Sequence, residues 1–147
     1  IFKQPRLTAL YGDSNKPYTY SNITMSPNQW SPTLLKIKQD IEAISNQKFT
    51  SVLLNLYRDG KDSNGWHSDD EKELGTDPFI ASLSFGGRRI FHFRHKKDSN
   101  QKFKIELKPG SLLLMGGKTQ AFWKHQIPKT KRVVAPRINL TFRYIKD

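Results

Sequence analysis

Three side chains in this sequence have the types and the order of a metal site. His67 and Asp69 stand two apart in Gly65-Trp66-His67-Ser68-Asp69-Asp70-Glu71, and His125 follows far downstream in Trp123-Lys124-His125. In an extended segment, residues i and i+2 project to the same side, so one short stretch can offer an imidazole and a carboxylate to one ion. A second imidazole completes a two-His-one-carboxylate face, the arrangement that suits non-haem Fe(II) and leaves coordination positions open for a co-substrate and O2. The chain has no cysteine, so a metal must be held through His and carboxylate; a disulfide scaffold, a thiolate nucleophile and Cys-ligated zinc are excluded. Taken alone, His-x-Asp is a common pattern and more often marks a surface ion pair.

The last apolar run supplies the context. In Pro136-Arg137-Ile138-Asn139-Leu140-Thr141-Phe142-Arg143, strand alternation puts Ile138, Leu140 and Phe142 on one face and Arg137, Asn139, Thr141 and Arg143 on the other. Four polar side chains, two of them cations, do not fill a lumen without a partner, because each unpaired buried charge is costly. They suit a bound dicarboxylate, with the planar fork of Arg137 on one carboxylate and Arg143 at the far end of the pocket or at its mouth. Asn55 and Tyr57 repeat the device on an otherwise apolar strand.

The elements that must position these groups are short. Ser31-Pro32 is a helix start, and Leu34, Ile37, Ile41 and Ile44 follow at helical spacing, which predicts one amphipathic helix over Pro32–Ser45. Period-two patterns predict strands at Ser51–Tyr57, Ile80–Phe85, Ile90–Arg94, Phe103–Leu107, Ser111–Met115 and Pro136–Tyr144, with tight turns at Gly86-Gly87 and Pro109-Gly110. Residues 1–28 read as irregular with short extended pieces. The fold class expected is mainly β (α+β), a jelly-roll-like antiparallel barrel with one flanking N-terminal helix, forming a single domain over 1–147. The chain opens on Ile1, so a preceding native segment is expected to be missing.

With 25 Lys and Arg against 13 Asp and Glu, the net charge is +12, which favours a polyanionic partner. Gly87 to Lys97 is a basic hairpin with interleaved aromatics, where His92 and His95 are expected to meet phosphates rather than metal; Lys129, Lys131 and Arg132 form a second basic loop and Lys3 with Arg6 a third. No apolar run approaches the length of a membrane span and no signal segment opens the chain, so an intracellular setting is expected, cytoplasmic in a prokaryote and nuclear in a eukaryote.

Several stretches together resemble one family, the AlkB-type Fe(II)/2-oxoglutarate dioxygenases, in the branch that repairs alkylated nucleic acid bases. They are P-R-L-T-A-L-Y-G-D (Pro5–Asp13), P-Y-T-Y-S (Pro17–Ser21), N-L-Y (Asn55–Tyr57), W-H-S-D-D-E (Trp66–Glu71), I-A-S-L-S-F-G (Ile80–Gly86) and P-R-I-N-L-T-F-R (Pro136–Arg143). The resemblance implies a double-stranded β-helix with Fe(II) on His67, Asp69 and His125. It implies 2-oxoglutarate contacts from Asn55, Tyr57, Arg137, Asn139 and Arg143, with Thr141 close by, and O2 as oxidant. It further implies that an N-methyl group on a base such as 1-methyladenine or 3-methylcytosine, in DNA and also RNA, leaves as formaldehyde while succinate and CO2 form. Tyr18, Tyr20, Ser21, Asp70, Glu71 and Arg6 are the expected substrate-binding residues, and a monomer is expected. Two readings stay open beside it: an oxygenase of the same fold acting on a protein, tRNA or lipid group, and a catalytically silent nucleic-acid-binding module. Family members choose between single and double strands through segments preceding Pro5, so strand preference stays open as well.

Overall fold

The computed structural model describes residues 5–20 and 23–146. Its larger sheet has five antiparallel strands in the order β1 (Leu7–Gly12), β4 (Ser51–Tyr57), β11 (Arg137–Arg143), β6 (Ile80–Gly86), β9 (Leu112–Met115). The smaller sheet has four, β5 (Asn64–His67), β10 (Trp123–Ile127), β7 (Arg89–His95), β8 (Lys102–Leu107), also antiparallel. A hairpin of β2 (Tyr18–Tyr20) and β3 (Ile23–Met25) stands apart from both.

Between the two sheets, Tyr57, Ile80 and Met115 of the larger meet Phe91, Phe93, Leu107 and Ile127 of the smaller in one apolar cluster. This is the jelly-roll core expected from the alternating strands, and it packs from the two inward faces. The outward face of the larger sheet is covered by α1 (Pro32–Ser45). Ser31 caps that helix by accepting a hydrogen bond from the Leu34 N–H at 3.2 Å, and Asn46 ends it in the left-handed conformation (φ 54°). Leu34 and Ile41 bury against Val52, Ala81, Leu140 and Phe142. Alternation along β11 therefore sends Leu140 and Phe142 to the helix and leaves Arg137, Asn139, Thr141 and Arg143 on the lumen side, all four buried.

The helix has the bounds expected, and all six expected strands are present within a residue of theirs. The N-terminal stretch differs. Residues 7–12 are a full edge strand, in register with β4 from Leu7↔Leu56 to Gly12↔Ser51, more regular than the short extended pieces expected there. Strands β5 and β10 and the one-turn α2 (Thr119–Phe122) were not anticipated, because Asn-Gly-Trp-His and Trp-Lys-His-Gln-Ile carry too few β-branched residues to signal a strand. The turn after β6 requires glycine: Gly86 has φ +82°, and a Cβ there would stand 2.4 Å from the Pro136 carbonyl oxygen. That close approach sets the start of β11 beside β6. No helix among the described residues is long and apolar enough to cross a membrane.

Candidate active site

β5 and β10 pair so that His67 lies opposite His125, their ring centroids 4.3 Å apart. Asp69, two residues past His67, turns back toward them, and one ligand atom from each of the three lies within 4.8 Å of the others. The stretch between is tied to its neighbours: Ser68 Oγ donates to the Trp123 carbonyl at 2.6 Å and the Asp69 N–H donates to Gln120 Oε1 at 2.8 Å. His67 Nδ1 sits 2.7 Å from the Gly65 carbonyl, so Nδ1 carries the proton and Nε2 the free lone pair. The Tyr20 hydroxyl, 3.0 Å away, then donates to that Nε2.

Electrostatics prepare all three for a cation. Burial pushes His125 down to about 3, with His67 adding to the effect, and burial likewise lowers His67. Both imidazoles are neutral near pH 7, the form that ligates metal. For Asp69, burial acts upward, but the guanidinium of Arg143 and the two imidazoles outweigh it and hold the carboxyl below its usual range. Arg143 Nη2 donates to Asp69 Oδ1 at 2.9 Å. Arg143, expected at the far end of the pocket or at its mouth, has its guanidinium on the Asp69 carboxylate and 4.8 Å from the Tyr20 ring centroid, with Nε left unpartnered. The N/O donor set fits Fe(II).

At the other end of β11, Arg137 is only 1% exposed, yet its one close hydrogen bond is to Ser84 Oγ at 2.9 Å; Nε and Nη1 make none, and the Tyr57 phenol favours the guanidinium's charge only partly against burial. A buried guanidinium with orphaned donors fits a carboxylate. Around it runs a chain of hydrogen bonds: Arg6 Nε donates to Asn55 Oδ1 (2.7 Å), Asn55 Nδ2 to Asn139 Oδ1 (3.4 Å), Thr141 Oγ1 to the same oxygen (2.6 Å), and Asn139 Nδ2 to Ser82 Oγ (2.7 Å). Tyr57 stacks under Arg137, 5.1 Å from its centroid. Asn55, Tyr57, Arg137, Asn139, Thr141 and Arg143 therefore share one lumen with His67, Asp69 and His125.

The expected substrate residues divide. Tyr18 and Tyr20 are buried, and the Tyr18 hydroxyl has no partner. Glu71 is half-buried with Oε2 unpartnered; burial first, then Asp69, raises its carboxyl. Asp70 turns outward, its side chain 62% exposed and 3.4 Å from Lys96. Arg6 corrects the expected third basic cluster: it is 5% exposed, bonded to Asn55 and, at 3.3 Å, to the Ser63 carbonyl, because its edge-strand position aims it into the lumen. Ser21 and Lys3 lie outside the described residues. Arg6, Thr8, Tyr20, Met25, Trp66 and His67 line a cavity of about 250 Å³ that reaches the His67–Asp69–His125 cluster.

Four contributors went unseen in the sequence. Ser82 and Ser84 had a signal, the alternation of Ile80-Ala81-Ser82-Leu83-Ser84 that puts both on the face of Asn139. Trp66 adjoins His67 and has Arg94 over its ring at 4.5 Å. Gln120, 1% exposed, had no local signal at all.

A jelly roll whose lumen places two neutral histidines and a carboxylate beside a buried, ligand-seeking arginine defines the class of non-haem metal oxygenases. The chain belongs to the 2OG-Fe(II) oxygenase superfamily, whose family model matches residues 4–143. It is 52% identical to alpha-ketoglutarate-dependent dioxygenase alkB homolog 3 of Bos taurus, over 98% of this chain and 53% of the relative, and 46% identical to DNA oxidative demethylase ALKBH2 of Homo sapiens, over 96% and 57%. The chain thus spans about half the length of the curated relatives it matches. The solved structure of OsALKBH1 superposes with a TM-score of 0.63 over 81% of this chain and 66% of that one, at 23% identity, a likeness of fold.

Proposed function

We propose that this chain, as a single-domain monomer, removes alkyl groups oxidatively from N-methylated bases of the 1-methyladenine and 3-methylcytosine type in DNA, and in RNA, releasing formaldehyde, succinate and CO2. One observation carries it: the His67–Asp69–His125 cluster is flanked by an anion pocket at Arg137 and by the Tyr20–Trp66 cavity. The names of the relatives point to the same activity. His67, Asp69 and His125 would hold Fe(II), and Arg137 with Ser84 would receive the 2-oxoglutarate carboxylate remote from the metal, while Asn55, Tyr57, Asn139 and Thr141 order the polar floor. Fe(II), 2-oxoglutarate and O2 together supply oxidation of the methyl C–H to C–OH, coupled to decarboxylation of 2-oxoglutarate to succinate.

The chain's own residues do the rest. The Gly65 carbonyl holds the proton on His67 Nδ1, so that Nε2 faces the site. Arg143 neutralises Asp69 and orients its carboxylate. A base must leave its stack to enter, and Trp66 and Tyr20 supply flat walls for it. Glu71, with its unpartnered Oε2, and Tyr18 offer polar atoms to a base edge, and an anionic Glu71 favours a cationic lesion. Asp70, turned outward beside Lys96, would meet a substrate only outside the cavity. Phosphates find Arg94, Lys102, Lys104 and Lys124 on the outward face of the smaller sheet, at registers Arg94↔Lys102, His92↔Lys104 and Lys124↔Arg94. Such substrates suit an intracellular setting, cytoplasmic in a prokaryote and nuclear in a eukaryote.

The test has two stages. Anaerobic Fe(II) and 2-oxoglutarate should together produce a metal-to-ligand charge-transfer band, absent in His67→Ala. Oligonucleotides carrying either lesion, as DNA and RNA, single- and double-stranded, should then yield formaldehyde and succinate in equal amounts. Succinate without base demethylation on any of them would overturn the repair reading in favour of an oxygenase of another substrate.

A further inference from the structure

Arg89 opens β7 pointing inward and is 3% exposed, and the ion pairs among the described residues give it no carboxylate partner. Its donors go to main-chain carbonyls instead. Nη1 reaches Asp59 O at 3.2 Å, and Nη2 reaches Asp62 O at 2.9 Å and Pro128 O at 2.7 Å. Those carbonyls belong to two different loops. One, 58–63, joins β4, which carries Asn55 and Tyr57, to β5, which ends on His67; the other, 128–136, joins β10 with His125 to β11 with Arg137. The loops are stitched once more where the Thr130 N–H donates to Gly60 O at 2.8 Å, an approach so close that a Cβ on Gly60 would stand 2.2 Å from the Thr130 carbonyl oxygen.

The same guanidinium lies against the Tyr57 ring at 5.5 Å from its centroid, and the ring also carries Arg137 at 5.1 Å. Two cations thus share one aromatic ring, that of Tyr57 in the lumen wall. Leaving a cation buried here costs solvation that three carbonyl bonds only partly return, so a shorter apolar residue would serve packing as well. The position of the guanidinium, bridging both loops and touching the ring beneath Arg137, is what a shorter residue could not reproduce.

We propose that Arg89 is a positioning residue for the co-substrate: by tying the 58–63 loop to the 128–136 loop it holds Tyr57 and Arg137 in the register that receives the remote carboxylate of a 2-oxo dicarboxylic acid. This rests on the co-substrate reading above. The candidate metal ligands have bonds of their own: Asp69 through its N–H to Gln120 and its carboxylate to Arg143, the neighbouring Ser68 to the Trp123 carbonyl, and His67 through Nδ1 to the Gly65 carbonyl. Disturbing the clamp therefore separates the two ends of the site, weakening dicarboxylate binding and sparing metal binding.

The experiment uses the full chain with Arg89→Lys, which keeps the charge but cannot bridge both loops, and Gly60→Ala, which leaves Arg89 in place and forces the loops apart. Mn(II) affinity is measured by electron paramagnetic resonance without co-substrate, and 2-oxoglutarate affinity by anaerobic titration of the Fe(II) charge-transfer band. 2-Oxopentanoate, which lacks the remote carboxylate, serves as control. In both variants the expectation is 2-oxoglutarate affinity lowered about tenfold or more, with Mn(II) and 2-oxopentanoate affinities within about twofold of the parent. Unchanged 2-oxoglutarate affinity in both overturns the proposal, and so does a parallel loss of Mn(II), 2-oxoglutarate and 2-oxopentanoate binding, the mark of a purely structural arginine. Failure of the parent chain itself to give a 2-oxoglutarate-dependent band removes the co-substrate reading and the proposal with it.

Discussion

If Arg137 is held for a ligand, then removing it should cost binding and not stability. Arg137→Met keeps the length of the side chain and deletes a guanidinium that is 1% exposed, with Nε and Nη1 unpartnered. Replacing buried charge by apolar volume is neutral to stabilising by about 1–4 kcal/mol. Against that, Ser84 Oγ loses its donor, a loss of about 1 kcal/mol. The net lies between a loss of about 1 and a gain of about 3 kcal/mol, which for a chain of this size moves the melting temperature by about −4 to +10 °C. Binding moves the other way: truncating one partner of a buried charge pair costs about 2–5 kcal/mol, so 2-oxoglutarate affinity should fall at least about thirtyfold. Thermal unfolding reads both quantities. The parent with Mn(II) should melt higher once 2-oxoglutarate is added in excess, by the stabilisation that any ligand selective for the folded state confers. Arg137→Met should start no more than about 4 °C below the parent and show a much smaller further rise. A metal-free variant melting more than about 4 °C below the parent would refute the reasoning, because Arg137 would then be a strut of the lumen and not a receptor.

Three further outcomes follow from the geometry. Tyr20→Phe removes the hydroxyl that donates to His67 Nε2, so Mn(II) should bind about two- to tenfold more tightly by calorimetry, the equivalent of one hydrogen bond no longer broken on ligation. Gln120→Leu releases the Asp69 N–H and should weaken Mn(II) binding about tenfold, leaving secondary structure by circular dichroism intact. Hydrogen bonds from the Arg58 guanidinium hold the Asp62 carboxyl below its usual range, with the Arg58 N–H adding to them. A folded value below the unfolded one, about 3.9, means that this stabilisation is complete above that pH and is lost as pH falls through the folded value. Asp62→Asn should therefore flatten the acid limb of melting temperature against pH, and an unaltered limb would count against the pair.

Much of the site was legible because strand alternation is strict. Once Pro136–Arg143 was read as a strand, the common face of Arg137, Asn139, Thr141 and Arg143 was unavoidable, and so was the apolar face that needs a cover such as α1. The pairing of His67 with His125 was legible only as an order along the chain. Its geometry depends on β5 and β10, whose polar and aromatic sequence does not announce a strand, and whose pairing is imposed by the sheet around them. Arg6 misled for a related reason: in a sequence a cation beside Pro5 looks solvent-facing, whereas an edge strand pairing with β4 from Leu7 onward turns it toward Asn55. Arg89 was read as one more charge in a basic hairpin, and nothing local distinguishes it from Arg88, which lies exposed near Glu106.

The apolar architecture explains how such a polar lumen is tolerated. Arg6, Arg89, Arg137 and Arg143 are all 5% exposed or less, and Asp69 is the one carboxylate that meets any of them in an ion pair among the described residues. Each of the other three is left to neutral oxygens and aromatic faces, a costly arrangement that by itself would favour opening the lumen to water. Three apolar clusters resist that opening from different sides: the inter-sheet core around Phe91 and Phe93, the layer between α1 and the outer face of β11, and the group of Leu10, Leu53, Tyr18 and Tyr20 beneath the hairpin. β11 belongs to two of these environments at once, with Leu140 and Phe142 bound to the helix layer and Arg137 and Arg143 to the lumen. Packing on one face of that strand is therefore the means by which the cations on the other are kept buried, Arg143 against Asp69 and Arg137 without a carboxylate, and a dianionic co-substrate entering there meets the free donors of Arg137.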